Sequence, residues 1–249
     1  MIFQYLPEPI EDLLSVLGYW NLMLSGFIMT MWLYGIALLM GFIMGLFFAN
    51  LRQYGGIILS RIATAYIELI RGTPLLAQLF LFYFLPYSLS IPIGNWSYGI
   101  SFVMFGKDVN VILLNHRVLV GLITLSINSS AYQAEYFRGA ILSVGTGQLE
   151  AAQSLGMSRI SGIRHIILPQ ALRRVIPAWS NEAAYLPKYT VVVYFIGVIE
   201  LFAQAHNIVA YTFASLLTYI IVAIIFLVLI ATITKGLDYI YKRTAIPGL

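Results

Sequence analysis

Residues 21–49 read NLMLSGFIMTMWLYGIALLMGFIMGLFFA, inside a stretch with no Asp, Glu, Lys or Arg between Asp12 and Arg52. A helix that crosses a bilayer needs about 20 mostly apolar residues at about 1.5 Å rise each. This run exceeds that length without one charge, which predicts a transmembrane helix. Three further charge-free gaps, from Arg71 to Lys107, Arg117 to Glu135 and Glu200 to Lys235, reach the length or come close to it. The whole chain fits the same reading. Of its 249 residues 60% are hydrophobic and 10% charged, with a mean hydropathy of +0.87. Soluble domains carry about 25% charged residues, so the polar surface is too small to cover a water-soluble globule. A cleaved signal peptide is not expected, because Glu8, Glu11 and Asp12 precede the first apolar run and the first basic residue is Arg52.

The expected fold class is all-α: a polytopic membrane protein of about five transmembrane helices, near 21–49, 62–86, 118–137, 175–198 and 208–233. Glu182, Pro187 and Lys188 interrupt the fourth. Loops facing the cytoplasm are enriched in Lys and Arg. With the N-terminus outside and the C-terminus inside, eleven of the 14 basic residues fall at the inner side, from Arg52 to Arg243. Lys107 and Arg117 fall outside, and Lys188 within the fourth helix. The net charge of +4 therefore reports orientation and contact with membrane lipid, and no nucleic-acid partner is expected. The absence of cysteine removes disulfides and thiolate sites. His116, His165 and His206 lie apart without metal-ligand spacing, so neither a metal nor a cofactor is expected.

Two connections are long. The outer one, 87–117, has turn residues Pro92, Gly94, Asn95 and Gly106, with Trp96 and Tyr98 suited to the headgroup region. The inner one, 138–177, is far longer than two adjacent helices require, and such segments are often functional. It contains Gly147-Gln148-Leu149-Glu150-Ala151-Ala152-Gln153-Ser154-Leu155-Gly156-Met157-Ser158 and then Ile166-Ile167-Leu168-Pro169-Gln170-Ala171. Good helix formers, Ser154 excepted, run from Glu150 to Leu155, and Gly156 is a natural C-terminal stop. Apolar residues Ile160, Ile163, Ile166 and Ile167 recover a helical stripe until Pro169 ends it. Two short helices around a Gly-Met-Ser turn would form a knob beyond the membrane. Small Ala151, Ala152 and Gly156 would let a partner surface come close.

That arrangement, Glu150-Ala151-Ala152 with Gly156 and then Leu168-Pro169, resembles the EAA signature of ABC-importer permease subunits. The segments Tyr66–Leu76, Ala131–Ile141 and 177–182 are similar to permeases for polar amino acids. The run Ser180-Asn181-Glu182 and the long outer loop look most like histidine and basic-amino-acid permeases. The chain departs from the family at Pro187-Lys188-Tyr189-Thr190, where many relatives have Lys-Asp-Thr/Ser, so no role of that acidic position carries over.

The resemblance implies one permease domain over 1–249, with Glu150, Ala151, Ala152, Leu155, Gly156, Met157 and Ser158 coupling to an ATPase. It implies two ATP-binding cassette subunits inside, a second permease subunit, identical or related, and an extracytoplasmic amino-acid-binding protein. The location implied is the cytoplasmic (inner) membrane of a bacterium or archaeon. No Gly-x-x-x-x-Gly-Lys-Ser/Thr occurs in the chain: Gly106-Lys107 has Ser101 in place of the first glycine and is followed by Asp108. The chain is therefore not expected to hydrolyse ATP, and no catalytic residue is expected. A passive channel and an intramembrane serine protease are the alternatives. The protease would need a base at membrane depth, and no histidine falls in a predicted span beside Ser126, Ser129 and Ser130.

A charge at a helix centre usually faces a cavity or a partner. Glu182, with Asn181 beside it, is the candidate for the substrate pathway; the alternative is that Glu182 pairs with a neighbouring helix or with the second subunit. Glu68, Arg71, Glu135 and Arg138, near the inner ends of the second and third helices, are candidate gate or packing residues. Gly41 and Gly45, at GxxxG spacing, allow close approach of another helix within the subunit or across a dimer.

Overall fold

The computed structural model describes residues 8–244; the ends of the expected domain, 1–7 and 245–249, lie outside them. In chain order the elements are α1 (Glu8–Leu17), α2 (Trp20–Tyr54), α3 (Gly56–Arg71), α4 (Leu75–Ser88), β1 (Ser97–Met104), β2 (Lys107–Asn115) and α5 (His116–Ser143). There follow α6 (Thr146–Ser154), α7 (Arg159–Gly162), a π-helical turn (Ile163–Ile167), α8 (Leu168–Arg174) and α9 (Ile176–Tyr189). A 3₁₀ segment (Thr190–Ile196), α10 (Leu201–Thr212) and α11 (Ser215–Thr244) complete the chain. The fold is mostly helical, as expected, with one strand pair added.

Among the described residues two helices, α2 and α11, are long and apolar enough by themselves to cross a membrane. Two bent pairs, Gly56–Arg71 with Leu75–Ser88 and Ile176–Ile196 with Leu201–Thr212, qualify when each pair counts as one span. Helix α5 covers the expected third span but carries Ser126, Asn128, Ser129, Ser130 and Gln133, all buried. Its polar groups are turned into the protein, as lipid requires.

The expected helices differ from those observed where backbone geometry intervenes. The second stops at Arg71, where the Gly72 N–H caps the Glu68 carbonyl, and α4 resumes after Pro74. The fifth is split: α10 ends at Phe213, which takes a left-handed conformation (φ 57°), and α11 starts at Ser215. The outer connection holds an antiparallel hairpin, β1 pairing with β2 from Ser97↔Asn115 to Met104↔Lys107 with an irregularity between Tyr98 and Ile100. Its two-residue turn, Phe105-Gly106, has positive φ at both positions (47° and 73°), the geometry that matches strand twist.

The chain divides into two compact units. One comprises the described parts of 1–36, 75–125 and 187–229. There Val16, Met23, Ile208 and Ala214 form a core cluster, and Leu201, Ala205 and Val222 another. Buried Glu200 caps α10, its carboxylate accepting from the Phe202 and Ala203 N–H groups at 2.8 Å each. Gly26 faces this start so closely that a Cβ would lie 2.8 Å from the Leu201 Cα. The other unit comprises the described parts of 37–74, 126–186 and 230–249. Its core gathers Ala49, Ile67, Ala134, Phe137, Ile141, Ile167, Ala171 and Val175 from α2, α3, α5, the π turn, α8 and the approach to α9.

Candidate coupling loop and buried polar network

The inner loop folds as two short helical arms around a tight turn. Helix α6 ends in a Schellman motif: the Met157 N–H bonds the Ala152 carbonyl at 3.1 Å and the Gly156 N–H bonds Gln153 at 2.9 Å. Gly156 sits at φ 87°, where a side chain is strained although nothing else occupies the space. Ser158 is in extended conformation and caps α7, its hydroxyl accepting from the Ser161 N–H at 3.2 Å. The arms pack through small residues. Ala152 is buried, and a Cβ on Gly162 would meet the Leu149 Cδ1 at 2.8 Å.

This packing turns the other motif residues outward. Glu150, Ala151, Gly156 and Ser158 are exposed and Met157 half-buried. Leu155 is 86% and Ile160 79% exposed, so the turn presents an apolar knob. Arg159 stands over the Tyr54 ring at 5.8 Å and, with Tyr54, Glu150 and Gln153, lines a cavity of about 310 Å³. Pro169 does not end the second arm as expected. Chain 159–174 is helical throughout, and the π turn ends just before Pro169, so the wider turn absorbs the break in the hydrogen-bond ladder that a proline makes.

A second constellation lies along α5 and α9. The Trp179 indole N–H donates to the Gln133 Oε1 at 2.6 Å, the Gln133 amide donates to Ser129 Oγ at 3.0 Å, and Ser129 donates to the Glu182 carboxylate at 2.6 Å. Glu182 is 3% exposed, whereas Asn181, next to it on the helix, is exposed. Gly41 and Gly45 make room for the network, since Cβ atoms there would come within 2.5 Å of Gln133 Nε2 and 2.8 Å of its Cβ. The GxxxG pair thus serves packing of α2 on α5 inside one subunit.

Glu68, Glu135 and Arg138 are brought together by a residue outside the candidate set, Arg52. Its guanidinium pairs with Glu135 and reaches Glu68 at 3.5 Å, while Arg138 binds Glu135 at 2.9 Å. Arg71 stands over the Tyr132 ring at 5.4 Å. Gln133 and Trp179 were also not singled out from the sequence, and Ser129 entered only as a possible nucleophile of the protease alternative. Their signal was the i, i+4 spacing of Ser129 and Gln133 within the charge-free stretch between Arg117 and Glu135.

Residues 37–246 match the family described as binding-protein-dependent transport system inner membrane component. The chain belongs to that family. It is 35% identical over 222 residues to the glutamine transport system permease protein GlnP of Escherichia coli strain K12, covering 89% of this chain and 90% of that protein. It is 34% identical over 217 residues to the probable amino-acid permease protein YxeN of Bacillus subtilis, covering 84% and 88%. The solved structure of an amino acid ABC transporter with histidines matches at a TM-score of 0.77 and 36% identity, over 92% of this chain and 97% of that one. An inward-facing MetNI methionine transporter shares the fold at a TM-score of 0.66 and 19% identity. The protein is thus a multi-pass inner-membrane component, the transmembrane subunit of an ABC importer, and ATP hydrolysis resides in a separate subunit.

Proposed function

We propose that this permease carries polar amino acids, basic ones among them, into the cytoplasm of a bacterium or archaeon. The whole chain, 1–249, acts as one permease domain, N-terminus out and C-terminus in, with 138–177 at the cytoplasmic face. The observation that carries the reading is the exposed Leu155–Ile160 knob, held by the Gly156 turn inside the EAA-like segment. A rigid apolar projection on a basic loop suits insertion into a cleft of an ATPase subunit. The similarity to GlnP and YxeN supports amino acids as cargo.

Two such ATPase subunits, a second permease subunit and an external amino-acid-binding protein complete the assembly. Closure of the ATPase pair on ATP would pull Glu150, Ala151, Ala152, Leu155, Gly156, Met157 and Ser158 and turn the pathway outward. Asn181 contributes directly to the pathway, and Glu182 supplies negative potential from behind it. The cluster of Glu68, Glu135 and Arg138, with Arg71 near it, acts at the inner gate. Reconstitution with the ATPase and binding protein tests the assignment. Accumulation of amino acid against its gradient, only with ATP, is expected; equilibrating flux without ATP would instead indicate a passive channel.

A further inference from the structure

The first helix, α1, has three faces. At about 100° per residue, Ile10, Leu13, Leu14 and Leu17 fall on one side, Glu11 and Ser15 on a second, and Asp12 and Val16 on a third. The third face is held by the protein: Val16 is fully buried against Met23, Ile208 and Ala214. The Lys107 ammonium, from the hairpin, donates to the Gly18 carbonyl just beyond the end of α1. Both contacts fix the rotation of the helix. All four residues of the apolar face are nevertheless exposed.

We propose that this stripe is an interfacial anchor, with Ile10, Leu13, Leu14 and Leu17 embedded in lipid at the bilayer surface where α2 begins. Connectivity supplies the occupant. Only Gly18 and Tyr19 separate α1 from the membrane-spanning α2, so α1 cannot leave the surface through which α2 enters. Aromatic side chains mark the same level: Tyr19 stacks on Tyr211 with ring centroids 5.4 Å apart, Trp20 meets Phe105 edge-on at 5.8 Å, and Phe213 is 86% exposed. Aromatic rings concentrate at membrane interfaces, and a helix with an apolar stripe opposite polar residues lies in that plane. Charge narrows the chemistry further. The charged side chains at the stripe's flanks are Glu11 and Asp12, and the Lys107 ammonium at the end of the helix is engaged by the Gly18 carbonyl, so the anchor binds acyl chains without needing anionic headgroups.

The inference rests on the membrane-spanning reading of α2, and its test separates the two. The chain has no cysteine, so single sites can be labelled in the assembled transporter with an environment-sensitive fluorophore. Leu13→Cys, Leu14→Cys and Leu17→Cys are compared with Glu11→Cys and Ser15→Cys in phosphatidylcholine vesicles carrying spin-labelled acyl chains. Quenching by the labelled lipid should be several-fold stronger at the three leucine positions, and quenching by aqueous iodide several-fold stronger at Glu11 and Ser15. Replacing part of the lipid by phosphatidylglycerol should leave the pattern unchanged. Leucine positions quenched by iodide as strongly as Glu11, shielded from both quenchers by a protein partner, or quenched by lipid only with phosphatidylglycerol, would overturn the proposal. Ile43→Cys, exposed within α2, is the control: loss of lipid quenching there would sink the membrane reading of α2 itself.

Discussion

Ser129 on α5 donates a hydrogen bond of 2.6 Å to the carboxylate of Glu182 on α9, and both residues are buried. A buried carboxylate needs such donors, because an unpaired charge away from water is costly. The bond also aims Glu182 away from the exposed side of α9 that carries Asn181.

Glu182→Gln keeps the shape and a hydrogen bond to Ser129 but removes the charge. Uptake assays with cationic and neutral amino acids should show a selective loss for the cationic ones, of roughly tenfold if the field at the pathway is worth about 1.4 kcal/mol. Equal kinetics for both classes would take Glu182 out of the pathway. Ser129→Ala should weaken folding by about 1–3 kcal/mol by orphaning the carboxylate, read as a lower melting temperature in detergent.

Gly156 lies at φ 87° with open space around it, so the cost of a side chain there is conformational. Gly156→Ala should cost roughly 1–2 kcal/mol locally and lower transport in part. Gly156→Glu adds a charge beside the knob and should leave the subunit inserted while ATP hydrolysis proceeds without uptake. Normal transport by the Glu variant would remove the coupling role.

Arg52 holds Glu135 between itself and Arg138. Glu135→Gln should therefore cost about 1.5–3 kcal/mol, the range for hydrogen bonds to charged groups. Arg71→Lys, outside this three-way contact, should cost less. Thermal unfolding of the two variants side by side orders them, and a larger loss for Arg71→Lys would contradict the arrangement.

Gly41 admits Gln133 where a Cβ would lie 2.5 Å from its amide. Gly41→Leu should push α2 from α5 and reduce stability by about 1–3 kcal/mol, whereas Gly35→Leu, with nothing within 4 Å, should be tolerated. Comparable yields and melting temperatures for the two variants would argue against this packing.

How much of this was legible follows from where each signal resides. The first span was written in the charge-free run before Arg52, and α2 covers it from Trp20 to Tyr54. The Gly72-Thr73-Pro74 break was visible as residue types, but a continuous apolar pattern on both sides concealed it. The break at Phe213 had no signal, because a bulky aromatic rarely adopts positive φ and neither glycine nor proline marks the spot. The hairpin was hidden for a related reason: its turn is Phe105-Gly106, without the Asn-Gly pair that announces such turns. At the site, the helix stop at Gly156 and the Gly-Met-Ser turn were legible residue by residue, whereas the capping role of Ser158 emerged only with the structure. The burial of Glu182 could not be read, since it depends on Ser129 and Gln133, far away in sequence, meeting α9.

The central claim is that the Leu155–Ile160 knob docks on a cytoplasmic ATPase subunit. Leu155→Cys in the otherwise cysteine-free chain, fitted with a short photo-cross-linker in the assembled transporter, tests it directly. The account predicts an adduct with the ATPase subunit at Leu155 and none at the equally exposed Phe213. An adduct with the external binding protein at Leu155, or labelling of that position by an impermeant reagent added outside intact cells, would contradict it.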